Sequence, residues 1–254
     1  MSETRVQTFP GLEELSRAAA ARFTGLARER GQQGKVFSAA LSGGTTPQKF
    51  LELLASPEFS QRVPWESVHL FQVDERCVPP DDLQSNYRMI RGSLLGPAPG
   101  AAANFHRMKA EQEDRDAASA EYAADMAKAL APAEGRAPRF DLIFLGLGPD
   151  GHTASLFPGS AALAESSKWV CPNYVEKLKT HRLTLTYPVL NAAREIVFLV
   201  SGSGKAEILR QVMEGPRNPE SYPAQGVQPA EGSVTWYVDG PASRLLNPRH
   251  RKSS

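Results

Sequence analysis

Four short apolar runs, each ending abruptly in glycine, hydroxyl or charge, constrain the fold of this 254-residue chain more than any other feature. They are KVFSAAL before Ser42-Gly43-Gly44, SVHLFQV before Asp74-Glu75-Arg76, DLIFLGLG before Pro149-Asp150-Gly151-His152, and REIVFLV before Ser201-Gly202-Ser203-Gly204-Lys205. Runs this brief and mostly apolar suit strands buried on both faces. Helical patterns lie between them. Leu12, Leu15, Ala19, Phe23 and Leu26 recur at helical spacing, Pro47 fits the first turn ahead of QKFLELL, SNYRMIRGSLLG reads as a capped helix, and Glu111 to Leu130 as a long one. Strands alternating with helices predict an α/β chain with a mostly parallel sheet covered on both faces. KWVCPNYV, RLTLTYP and SVTWYVD are further strand candidates, and the Pro- and Gly-rich region from Glu214 to Ala230 reads as irregular.

In an open sheet of this kind, ligands bind beyond the carboxyl ends of the strands. The four strand-end segments, distant in sequence, are therefore expected to converge on one edge. No internal repeat or low-complexity linker divides the chain, so a single domain over residues 1–254 is expected, with the basic tail from 247 to 254 frayed.

Composition removes several function classes. Lys and Arg number 29 against 28 Asp and Glu, a net charge of +1, which offers no field for nucleic acid or membrane. No apolar run is long enough to span a bilayer, and the first fifteen residues lack the apolar core of a secretion signal. Cys77 and Cys171 are too few for a disulfide framework and lack metal-ligand spacing, so reduced thiols and a cytoplasmic location are expected.

The strand ends carry the chemistry. In LSGGTTP, glycines and a helix start let backbone N–H groups approach an anion, and Ser42, Thr45 and Thr46 add hydroxyls; a tight turn with a threonine cap is the alternative. GLGPDG matches a dinucleotide fingerprint only formally. Pro149 sits inside the turn, Pro158 interrupts the following helix, and no ribose-binding acid follows. SGSGK is not a P-loop, because Leu199 replaces its first glycine and Ala206 follows Lys205; Lys205 remains a point charge for a phosphate. Of five histidines, His152 stands out, following a glycine-rich strand end beside Asp150 and Thr153, where an imidazole suits proton transfer. His69 lies inside a strand and reads as structural. In VDERC, Arg76 suits a phosphate or sugar oxygen, with Asp74 or Glu75 orienting it, and Arg182 is a further cation at an element boundary. No cluster has metal-ligand spacing, so no metal is expected.

LSGGTTP, VDERCVPPDDLQSNYRMI, DLIFLGLGPDGHTASLFPG, RLTLTYPVLNAAREIVFLVSGSGKAEIL and PAQGVQP followed by SVTWYVDGPAS together resemble the 6-phosphogluconolactonase family, from about residue 8 to 246. The resemblance implies a modified Rossmann-like fold of the sugar-phosphate isomerase and deaminase group. It also implies a carboxylic ester hydrolase that opens 6-phosphogluconolactone in the pentose phosphate pathway, with no metal or organic cofactor. On that reading His152 is the general base on water, and Asp150 or a backbone carbonyl fixes its tautomer. Gly43, Gly44 and Thr45 amides hold the phosphate with Arg182 and Lys205, while Arg76 holds phosphate or approaches C1. Ser42 and Asp74 complete the expected binding set. A small-molecule lactone is the expected partner, on a monomer or weak homodimer. An isomerase or deaminase on the same fold, a non-catalytic sugar-phosphate sensor and a dinucleotide oxidoreductase are the alternatives. The absence of acids from 153 to 164 disfavours the deaminase.

Overall fold

The structure, a computed structural model, describes residues 4–248 and 252–253. Its strands are β1 (Thr4–Phe9), β2 (Phe37–Leu41), β3 (Val68–Gln72), β4 (Asp74–Arg76), β5 (Phe105–His106), β6 (Leu142–Gly146), β7 (Val170–Val175), β8 (Thr180–Leu185), β9 (Glu195–Val200), β10 (Ser233–Asp239) and β11 (Lys252–Ser253). Its helices are α1 (Leu12–Gln32), α2 (Thr45–Ala55), α3 (Pro57–Ser60), α4 (Asn86–Ile90), α5 (Arg115–Leu130), α6 (Tyr187–Leu190), α7 (Ala206–Glu214) and α8 (Gly240–Ser243). The main sheet runs β11-β1-β10-β9-β6-β2-β3-β5, and all its pairings are parallel. A second sheet, β4-β8-β7, is antiparallel.

Strand periodicity explains why the central runs are apolar throughout. In β6, Leu142 and Phe144 join a core with Phe23 of α1 and Phe50 of α2, whereas Ile143 and Leu145 join one with Tyr122 of α5 and Leu209 of α7. Val197 and Leu199 of β9 divide from Ile196 and Phe198 in the same way. The Phe50 and Phe144 rings lie 4.4 Å apart. Emptying such a site by Phe144→Ala costs about 3–5 kcal/mol.

Two sequence readings need correcting. VHLFQVDER is not one strand. The Tyr122 hydroxyl accepts from Gln72 N (2.6 Å) and donates to Gln72 O (2.9 Å), closing the end of β3. Val73 then bridges the sheets, its N donating to Leu41 O (3.0 Å) and its O accepting from Leu185 N (2.9 Å). β4 thus belongs to the second sheet. Second, the tail is not wholly frayed, because Lys252–Ser253 pair with Gln7 and Thr8 of β1, which itself pairs with β10 from Thr4. Residues 249–251 and 254 lie outside the described residues.

Candidate active site

The turn after β6 folds back on the strand that feeds it. Gly148 N donates to His152 O (2.8 Å), and the Thr153 hydroxyl donates to Gly146 O (2.9 Å). Glycine is required at 148, because a Cβ there would sit 2.0 Å from His152 Nδ1. On its other side the imidazole stacks on Phe157 at 4.0 Å between centroids. His152 Nδ1 lies 2.5 Å from Asp150 Oδ1, and the His152 side chain keeps 24% of its surface exposed. Burial acts to raise the Asp150 carboxyl, but the hydrogen bond and charge of His152 outweigh it and hold Asp150 well below the usual carboxylate range. An ionised carboxylate on Nδ1 fixes the proton there and leaves the Nε2 lone pair able to take one. Lys177 Nζ, from the β7–β8 hairpin, lies 3.6 Å from Asp150 Oδ2.

The second sheet brings cations to the same place. Arg76 and Arg182 stand directly opposite each other in the β4–β8 register. The Nε of each is buried without a hydrogen-bond partner. The Arg182 guanidinium lies 5.7 Å from the centroid of the Phe157 ring whose face meets His152. Burial, with repulsion from Arg76, lowers the Arg182 pKa despite the attraction of Asp74. Arg76 also donates from a terminal nitrogen to Gln84 O, and paired guanidiniums are groups that can meet the oxygens of an anion. Burial lowers the pKa of Lys205, after β9, although the negative charge of Asp150 acts to raise it. The Lys205 loop is pinned by Gly202 N donating to Asp239 at 3.0 and 3.1 Å.

A buried polar brace ties the remaining segments together. Asp74 accepts from the Ser155 hydroxyl (2.6 Å) and from Asn86 Nδ2 (3.3 Å), and Asn86 Nδ2 also donates to Asp74 O (2.9 Å). Asn86 fills the space above Gly43, where a Cβ would meet Asn86 Oδ1 at 1.8 Å. The Glu75 carboxylate accepts from the amides of Arg76, Asn86 and Tyr87, from Gln72 Nε2 and from the Ser85 hydroxyl. Gly43, Asn86, Asp74 and Ser155 therefore form one connected line to the His152 turn.

Not every expected binding residue presents itself to a ligand. The Ser42 hydroxyl donates to Phe144 O (2.9 Å), so its proton is committed to joining β2 to β6. Asp74 is 5% exposed with both carboxylate oxygens engaged, which makes it part of the brace. Gly44 and Thr45 are exposed at the start of α2.

Sequence reasoning missed the support beneath the turn. Gly151 O accepts from Ala224 N (2.9 Å), and Gly159 N donates to Glu220 O (3.2 Å), so the irregular segment holds the turn on both sides of His152 and Phe157. Its own position is fixed by Tyr187, whose hydroxyl donates to Pro223 O (2.8 Å), and by Asn191 Nδ2 donating to Gly226 O (3.0 Å). PAQG, quoted only for its resemblance, was the signal.

Among the described residues, no group of three or more His, Cys, Asp or Glu side chains could hold a metal ion, and no helix is long and apolar enough to cross a membrane.

Known proteins resemble this chain in sequence and in fold. A family model described as glucosamine-6-phosphate isomerases/6-phosphogluconolactonase matches residues 10–236. A 6-phosphogluconolactonase of Synechocystis is 40% identical over 227 residues, covering 89% of this chain and 90% of that protein. One from Nostoc is 35% identical, covering 85% and 87%. A solved 6-phosphogluconolactonase from Trypanosoma cruzi superposes with a TM-score of 0.83 at 26% identity, covering 97% of this chain and 98% of that one. A monomeric glucosamine-6-phosphate deaminase shares the fold at 21% identity, with a TM-score of 0.78 and coverage of 95% and 99%.

Proposed function

Because the chain belongs to the glucosamine-6-phosphate isomerase/6-phosphogluconolactonase family, we propose that it hydrolyses 6-phosphogluconolactone to 6-phosphogluconate, with His152 as general base. The observation that carries the assignment is the imidazole held between Asp150 at 2.5 Å and Phe157 at 4.0 Å, above a glycine that alone leaves it room.

A lactone is already electrophilic at C1, so the protein has to orient it and activate water. Nε2 of His152 takes a proton as the water oxygen bonds to C1. Asp150 stabilises the imidazolium that results. When the tetrahedral adduct collapses, the bond between C1 and the ring oxygen breaks, and the imidazolium returns its proton to that oxygen. The product is an open-chain acid. General-base help of this kind typically contributes ~10²–10⁴-fold.

The 6-phosphate sits on Arg182, with Arg76 opposite it, Lys205 adding charge, and the Gly44 and Thr45 amides at the start of α2 adding donors. Binding the remote phosphate positions the reacting end. The test is to follow acid release from freshly prepared 6-phosphogluconolactone, with chelator present and no nucleotide. Release well above the spontaneous rate is expected. Background-rate hydrolysis, or ammonia release from glucosamine 6-phosphate instead, would reject the assignment.

A further inference from the structure

A second concave site lies at the opposite end of the main sheet. It is a cleft of about 510 Å³ where β2, β6, β9 and β10 begin, lined by Ser38 of β2, by Asp141 and Arg194 just before β6 and β9, and by Glu231 just before β10. Arg30, from the last turn of α1, and Arg136 and Arg139, from the loop ahead of β6, complete a ring of four arginines. Against their four positive charges the lining offers only Asp141 and Glu231, leaving 4 − 2 = +2.

The two carboxylates organise the cations without saturating them. Asp141, 7% exposed, accepts from the Ser38 amide (3.0 Å) and hydroxyl (3.2 Å) through Oδ2. Its Oδ1 faces the Nε atoms of Arg30 (3.3 Å) and Arg194 (3.2 Å). Arg139 donates to the carbonyl and the carboxylate of Glu231, while its own Nε is buried without a partner. Among the described residues, the terminal guanidinium nitrogens of Arg30, Arg136 and Arg194 make no hydrogen bond. Several planar forks with open donors around one cleft match the oxygens of a phosphate. The wall also has an apolar side, including Val36, a large apolar side chain left 41% exposed.

We propose that this cleft binds an organic phosphate monoester of roughly nucleotide size. The excess of two positive charges matches a dianionic phosphate, the apolar wall suits a flat organic body, and the volume lies within the range of about 300–1,000 Å³ typical of small-molecule sites. The site is independent of the lactone chemistry, because it opens where the strands start and His152 follows the point where β6 ends.

The test uses adenosine 5′-monophosphate as probe, titrated calorimetrically into the full-length protein. Wild type and Arg182→Ala are expected to bind one molecule saturably, whereas Arg136→Ser/Arg194→Ser weakens binding at least ~10-fold, the loss of charge-assisted hydrogen bonds. That double variant keeps the wild-type kcat/KM for the lactone. Arg136 is exposed, so Arg136→Ser alone provides a folded variant with a several-fold loss should the double variant fail to fold. Absence of saturable binding up to about 10 mM probe overturns the proposal. So does binding that disappears in Arg182→Ala yet survives in Arg136→Ser and the double variant.

Discussion

Replacing Asp150 by Asn keeps the size of the side chain and removes its charge. The consequence for turnover follows from the geometry. In the reaction the imidazole becomes an imidazolium, and its nearest fixed counter-charge is the Asp150 carboxylate, 2.5 Å from Nδ1. At about 4 Å between charge centres and an effective dielectric constant of about 20, that attraction amounts to about 4 kcal/mol. Both side chains keep roughly a quarter of their surface in solvent, 24% and 23%, where screening reduces the figure to about 2–3 kcal/mol. At 1.36 kcal/mol per decade, kcat should fall about 30–160-fold. KM should stay within a few fold, because the proposed phosphate grip uses other residues. A buffered indicator assay on fresh lactone, with spontaneous hydrolysis subtracted, measures both. A kcat within about threefold of wild type, or a loss confined to KM, would refute the reasoning, since an electrostatic partner in the transition state has to act on turnover.

Further outcomes follow from the same coordinates. Arg182→Ala should raise KM for the phosphorylated lactone ~10-fold or more and have much less effect on a lactone without phosphate; equal effects on both would remove the phosphate assignment. Gly226→Ala places a Cβ 2.5 Å from the Tyr187 ring and hydroxyl, so it should release the clamp under the His152 turn and lower both kcat and Tm, with KM little changed; wild-type kcat in a folded variant would show that the clamp does not act on the turn. His69 and His106, whose ring nitrogens lie 3.0 Å apart, are both pulled below the ordinary value of 6.5 by burial, and each adds charge to the other's site on protonation. Groups whose folded pKa is lowered contribute stability above the unfolded value and lose it as pH falls, so Tm should drop as pH decreases below about 6.5. His106→Phe, which keeps the stack on Phe71, should flatten that drop, and an unchanged slope would exclude the pair as its source.

What was legible in the sequence was whatever local pattern could encode. Consecutive apolar residues in LIFLG and EIVFLV announced strands covered on both faces, and the glycines that follow announced the turns at their ends. His152 was visible because glycine, acid and imidazole adjoin in one turn. The second sheet was not, because the departure of β4 depends on Tyr122 and Val73 meeting partners remote in sequence. The binding roles expected of Ser42 and Asp74 rested on residue type at a strand end. Their hydrogen bonds to Phe144 O and to Ser155 are tertiary facts that no local pattern carries. The support under the turn was hidden for a related reason: Pro- and Gly-rich sequence reads as loop whether it is loose or held at both ends.

The most direct measurement is the kcat and KM of His152→Ala on 6-phosphogluconolactone beside the wild type. If the imidazole handles the proton while arginines grip the phosphate, kcat falls by ~10²–10⁴-fold and KM changes by no more than a few fold. A variant that turns over at nearly the wild-type rate, or one whose deficit lies wholly in KM, would contradict it.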